Sequence, residues 1–136
     1  LIPSDLETIS SFLGCDDLVI FAMENLLASI GATALIGNRL TQIPTLVPRR
    51  KAAGGCKFFD DENRCTIHAV NPFGCAFFQS NMNRREADHR SSCGLRAIAR
   101  EWAIGALYAQ IWVRLYSVGL IAPSPISARR EMMKAL

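Results

Sequence analysis

Two blocks of helical periodicity flank a middle stretch in which neither a helical nor a strand period persists. In the first block, Ser4 reads as an N-cap for "DLETISSFL", and Glu7, three residues on, completes a capping box. Gly14 ends that helix. A second helix is expected from "CDDL", where Asp16 and Asp17 suit the positive end of a helix dipole. Leu18, Phe21, Leu26 and Ile30 give it a broad apolar face, and Gly31 and Gly37 blur its end. Pro44 and Pro48 then force "IPTLVPRR" into an extended path, because a residue before proline is pushed out of the helical region.

The final block is helical again. Ser91 or Ser92 is the expected cap of a helix running through "CGLRAIAREWAIGALYAQIWVRLYSV" to Gly119. Leu95, Ile98, Trp102, Ala109, Trp112 and Tyr116 line one face, and Ile104, Leu107, Ile111 and Leu115 a second. Arg96, Arg100, Gln110 and Arg114 form the polar strip between them. "APSP" (122–125) breaks this helix ahead of a short basic one. The expected fold is therefore mainly α: a single domain, 1–136, with N-terminal helices in 1–48, irregular cysteine-rich loops in 49–92 and C-terminal helices in 93–136.

In the middle stretch, "DDEN" between "KFF" and "RCTIH" reads as a hairpin turn, and "NPFG" as another. More than forty residues with so little periodicity need an organiser. Four of the five cysteines supply the candidate: Cys56, Cys65, Cys75 and Cys93. Buried free thiols explain single cysteines better than a cluster in an irregular zone. Two disulfides would suit an exported protein, and "LIPSDLETIS" lacks the charged-then-apolar order of a signal peptide. Structural zinc usually takes thiolates in pairs two to four residues apart, and this chain has no such pair. Gaps of eight, nine and seventeen residues bring thiolates from separate loops, which favours a [4Fe–4S] cluster, with Zn2+ as the alternative. Phe58, Phe59, Phe73, Phe77 and Phe78 would shield its negative charge, and Cys93, placed in the first turn of its helix, would gain from the free N–H groups there.

"CKFFDDENRCTIHAVNPFGCAFF" resembles the cysteine-cluster family of zinc- or iron-chelating proteins. The family pattern runs cysteine, Phe-Leu, a polar turn, Cys-x-Ile-Tyr, Arg-Pro and a third cysteine. The two cysteine gaps match, as do Phe58, Ile67 and Pro72, whereas His68 replaces the tyrosine and Asn71 the arginine. The family's upstream run of cysteines is missing, only Cys15 being present. The resemblance implies Cys56, Cys65 and Cys75 as ligands; Cys93 completes the set from its expected helix-start position. It also implies a kinship with the cysteine-rich part of flagellin lysine methylases.

Composition adjusts this picture only slightly. Half the residues are hydrophobic, a fifth are charged and the net charge is +3. "PRRK", "NRREADHR" and "SARREMMK" lack the aromatic interleaving of a single-strand binder, so nucleic acid is not the expected partner. The apolar run 18–37 is long enough to span a bilayer, but Glu24, Asn25 and two glycines mark it as a core helix. No phosphate loop, nucleophile elbow or Cys–His nucleophile is evident. The expected function is a cytoplasmic cluster-binding redox or accessory protein with a protein partner, docked by Arg84, Arg85 and Arg90. The alternatives are a structural zinc domain or the cysteine-cluster part of a larger enzyme. His68 and His89 read as hydrogen-bond donors behind the ligands or as solvated side chains, and Cys15 as a core residue.

Overall fold

The computed structural model describes residues 1–36, 38–52, 54–62, 64–70, 72 and 83–123, with only the backbone described for 32–36. Helix α1 spans Pro3–Phe12. Its cap differs from the expected one: Ile2 occupies the N-cap position and its N–H donates to the Asp5 carboxylate at 2.9 Å. Proline at the first helical position has no N–H to leave unpaired. Gly14, at φ 74, lies in the turn that follows. Helix α2, Leu18–Asn25, starts as expected, with the Asp17 carboxylate accepting from the N–H groups of Val19 and Ile20.

The expected fold class fails just after this point. The apolar run does not continue as helix but turns at Leu26 into strand β1, Leu26–Ile36, which pairs antiparallel with β2, Arg39–Pro48. The described residues are thus mixed, with four α-helices and a two-stranded antiparallel sheet, rather than mainly α. Leu and Ala favour helix locally, but cross-strand pairing and burial override that preference. Leu26 and Ala28 alternate inward at the base of the ribbon, paired with Pro48 and Leu46 respectively, and Leu26, Ala28 and Leu46 are fully buried. Burying each leucine contributes about 1.5–3 kcal/mol. Asn38, at φ 65, helps turn the chain between the strands.

Gly31 forms part of a bulge between Ser29 and Ala32. A Cβ at Gly31 would fall 1.7 Å from the Ile43 carbonyl oxygen, at a φ of +102 that other residues resist. The residue that weakened the expected helix is therefore required by the ribbon.

Helix α3, Arg84–Ile104, begins seven to eight residues before the expected serine caps. Asn83 is its cap, accepting from the Glu86 N–H at 2.9 Å. It ends at Gly105 in the left-handed conformation, and α4, Leu107–Ser117, follows. The single long helix expected here is two. Its faces are only partly as expected: Ile98, Ala109, Ile111 and Leu115 are buried and Arg96, Arg100, Gln110 and Arg114 exposed, but Ile104, Leu107 and Tyr116, expected on the apolar faces, are exposed as well. The basic helix expected after "APSP" falls outside the described residues.

The core lies where α1, α2 and α4 meet the ribbon base. Trp102 Nε1 on α3 donates to the Pro44 carbonyl at 3.0 Å, and Trp112 Nε1 on α4 donates to that of Ser29 at 2.8 Å. The buried Tyr108 hydroxyl donates to the Leu1 carbonyl and accepts from the Leu46 N–H at 2.8 Å. Burial pushes its pKa upward, so it stays a donor. After α4 the chain returns to β1, with Ile121 bridging Ala28 in parallel. Among the described residues no helix is long and apolar enough to cross a membrane.

Candidate functional site: the thiols of the middle loops and of α3

The middle segment folds as a chain of short closures. Its first limb is tied to the end of α2: the Arg49 N–H donates to the Asn25 carbonyl at 2.9 Å, and the Arg49 guanidinium reaches the Met23 and Leu26 carbonyls. The Lys57 ammonium donates to the Glu24 carbonyl. These cations sit where a helix leaves its last carbonyls unpaired. Cys56 bridges Arg50 across this first closure.

The second closure is the expected "DDEN" turn. Phe59 and Cys65 form an antiparallel bridge, and the Asp60 N–H donates to the Arg64 carbonyl at 2.8 Å. The Arg64 and Glu62 N–H groups donate back to the Asp60 carboxylate at 2.8 and 2.9 Å. The Arg64 N–H above all holds the Asp60 carboxyl below its ordinary pKa, aided by the Glu62 N–H and the Arg64 guanidinium. Arg64 also meets Asp60 at 3.3 Å and Glu62 at 2.6 Å, but these exposed pairs add little stability.

Phe58 and Ile67 anchor the loop. They are 5% and 1% exposed and belong to the main core, whereas Phe59 faces outward. Cys56 and Cys65 are half-buried free thiols packed at the edge of that core. A single 3-10 turn, His68–Val70, follows, leaving His68 exposed. Cys75 lies outside the described residues, as do Phe73, Phe77 and Phe78 of the expected apolar shield and most of the "NPFG" turn.

Cys93 is not in the first turn of a helix. Because α3 starts at Arg84, Cys93 sits well inside it, and the argument from free N–H groups at a helix start no longer applies. It is exposed, and its Sγ lies 3.7 Å from Nε2 of His89, one turn earlier. In the sequence His89 reads as a donor behind the ligands or as a solvated side chain. The four-residue spacing was visible in "HRSSC", but it places both residues on one face only when the helix covers both. Arg84, Arg85 and Arg90 are exposed on the same first half of α3. Cys15, expected as a core residue, is half-buried and packs only against the edge of the core, its thiol 3.4 Å from the Asp17 carbonyl.

Among the described residues, no three His, Cys, Asp or Glu side chains gather into a metal-holding group. Two loop thiols and one helix-borne Cys–His pair are therefore what the described residues offer a metal. Neither a family model, nor a curated protein, nor a solved structure matches the chain. The resemblance to the cysteine-cluster family is thus overturned, and no family is recognised. Its apparent matches have a simpler cause: Phe58, Ile67 and Pro72 are all buried, so packing alone accounts for apolar residues at those positions.

Proposed function

We propose that this protein binds a metal centre through the thiolates of Cys56, Cys65, Cys75 and Cys93, the centre being a [4Fe–4S] cluster in a redox or accessory role. The observation that carries the reading is the state of Cys56 and Cys65. Both thiols are free and half-buried, and each sits in a backbone closure next to a core anchor. Loops held in this way keep two soft ligands in place at low entropic cost. A [4Fe–4S] cluster would supply one-electron chemistry. The chain's own part is to hold the thiolates, restrict water at the core edge and present Arg84, Arg85 and Arg90 to an acidic protein partner. A reducing compartment such as the cytoplasm keeps thiols of this kind available.

The anchoring by Phe58 and Ile67 favours a second reading, in which a zinc ion only organises the loops. One experiment separates the two. Protein purified without oxygen is expected to be brown, with about four irons per chain and matching sulfide, as a cubane demands. Colourless protein with zinc and no sulfide supports the second reading, and protein with neither metal overturns both. Serine at Cys56, Cys65, Cys75 or Cys93 is expected to lower the metal content, and serine at Cys15 to leave it unchanged.

A further inference from the structure

The His89 and Cys93 side chains of α3 approach each other across one helical turn. Residues four apart on a helix stand one above the other, so a single ion can reach both without disturbing the backbone. In tetrahedral zinc sites the Zn–S and Zn–N bonds are about 2.3 and 2.0–2.1 Å, which sets the sulfur and nitrogen roughly 3.6 Å apart. The Cys93 Sγ and His89 Nε2 stand at 3.7 Å. They are thus already spaced as two corners of such a site, one a soft thiolate and the other an imidazole, a donor set that suits zinc.

We propose that His89 and Cys93 form a two-donor site for a zinc-class divalent cation on the exposed face of α3. Both residues are exposed, which leaves the remaining coordination positions open to water. The Cys93 thiol proton passes to solvent as the metal–sulfur bond forms. Glu86 lies one turn before His89 and adds negative charge, while Arg85, Arg90 and Arg96 lie within a turn and oppose it. A bound ion would close a covalent-like staple over one turn, holding the first half of α3 helical. The site shares Cys93 with the proposed loop centre, so that thiolate serves one of the two at a time, and the α3 pair takes its ion when the loop centre is absent.

The test uses the full-length chain with Cys56, Cys65 and Cys75 replaced by serine, titrated anaerobically with Co2+ as an optical stand-in for Zn2+. A saturable cobalt–thiolate absorption band is expected, with one ion per chain, and it should vanish in this background on adding either His89→Ala or Cys93→Ser. The paired change Asp88→His with His89→Ala keeps a histidine but moves it off the face, and should also abolish the band. In the unaltered chain stripped of iron and sulfide by a chelator, Zn2+ is expected to slow amide hydrogen exchange between Glu86 and Cys93, an effect that His89→Ala removes. That measurement stands even if the triple-serine variant does not fold. A band that survives His89→Ala, or stripped chain whose exchange ignores Zn2+, overturns the proposal. Iron and sulfide analysis of the unaltered protein decides the cluster reading separately.

Discussion

Residues 50–67 and the first half of α3 both present cysteines, but they position them by opposite means. In the loop, backbone closures are only a few residues long, and Phe58 and Ile67 pin them from inside the core. The places of Cys56 and Cys65 are thus inherited from tertiary packing. On α3, Arg84 to Cys93 face solvent almost throughout, and the place of Cys93 relative to His89 follows from helical pitch alone. The loop thiols should fail when the core fails. The helix thiol should fail only when its own turn unwinds.

The strongest break in this comparison is Phe58→Ala. It removes a buried aromatic ring from the core and should cost about 3–5 kcal/mol in chemical denaturation. In metal-free protein, alkylation of Cys56 and Cys65 should accelerate sharply, while Cys93, already exposed, should react at its unaltered rate. Equal acceleration at all three thiols would show that α3 depends on the same core.

A smaller effect is expected from Asn83→Ala, which deletes the cap of α3 and should cost about 1 kcal/mol. Amide exchange should quicken over the first turns of α3, and the separation of His89 from Cys93 should become less defined. Loop thiol reactivity should not change. A loop that loosens with the cap would join the two regions into one cooperative unit.

The finest probe is pH. Asp60 has its carboxyl held below the ordinary value by N–H donors, so it contributes stability above the unfolded pKa, and this is lost as pH falls through the lower folded value. Acid titration by NMR should move the amide signals of Glu62 and Arg64 below the usual carboxylate range. The amides of α3 around Cys93 should not follow that transition. Asp60→Asn should abolish the loop response.

The two regions were legible to different degrees. The "DDEN" turn and the Asp17 cap could be read because short polar side chains bond to backbone a few residues away, and such contacts are written in adjacent letters. The ribbon could not be read this way. Leu26 and Ala28 reveal themselves as strand residues only against β2, some twenty residues on, and "LLASIGATALI" offers good helix formers in isolation. The start of α3 was missed for a related reason: "NRREADHR" has no apolar stripe, and its helicity rests on the Asn83 cap and on continuity with the packed turns after it. That error displaced Cys93 from mid-helix to helix start and hid its relation to His89. The clustering of cysteines was plain in the letters; which of them share a neighbourhood was not.

The chain's two tryptophans meet edge to face, ring centres 5.3 Å apart, and Trp112 stacks on Tyr116 at 5.1 Å. Each indole is also tied to a different strand of the ribbon. Intrinsic fluorescence and near-ultraviolet dichroism therefore report on one seam, where the ribbon docks onto α3 and α4. In metal-free protein, residues 50–67, which contain neither tryptophan nor tyrosine, add no emission of their own. A melt followed by tryptophan emission will register the ribbon lifting away and stay silent while the loops come apart. Agreement between that signal and a loop-borne label would establish two-state unfolding; tryptophan emission alone would only imitate it.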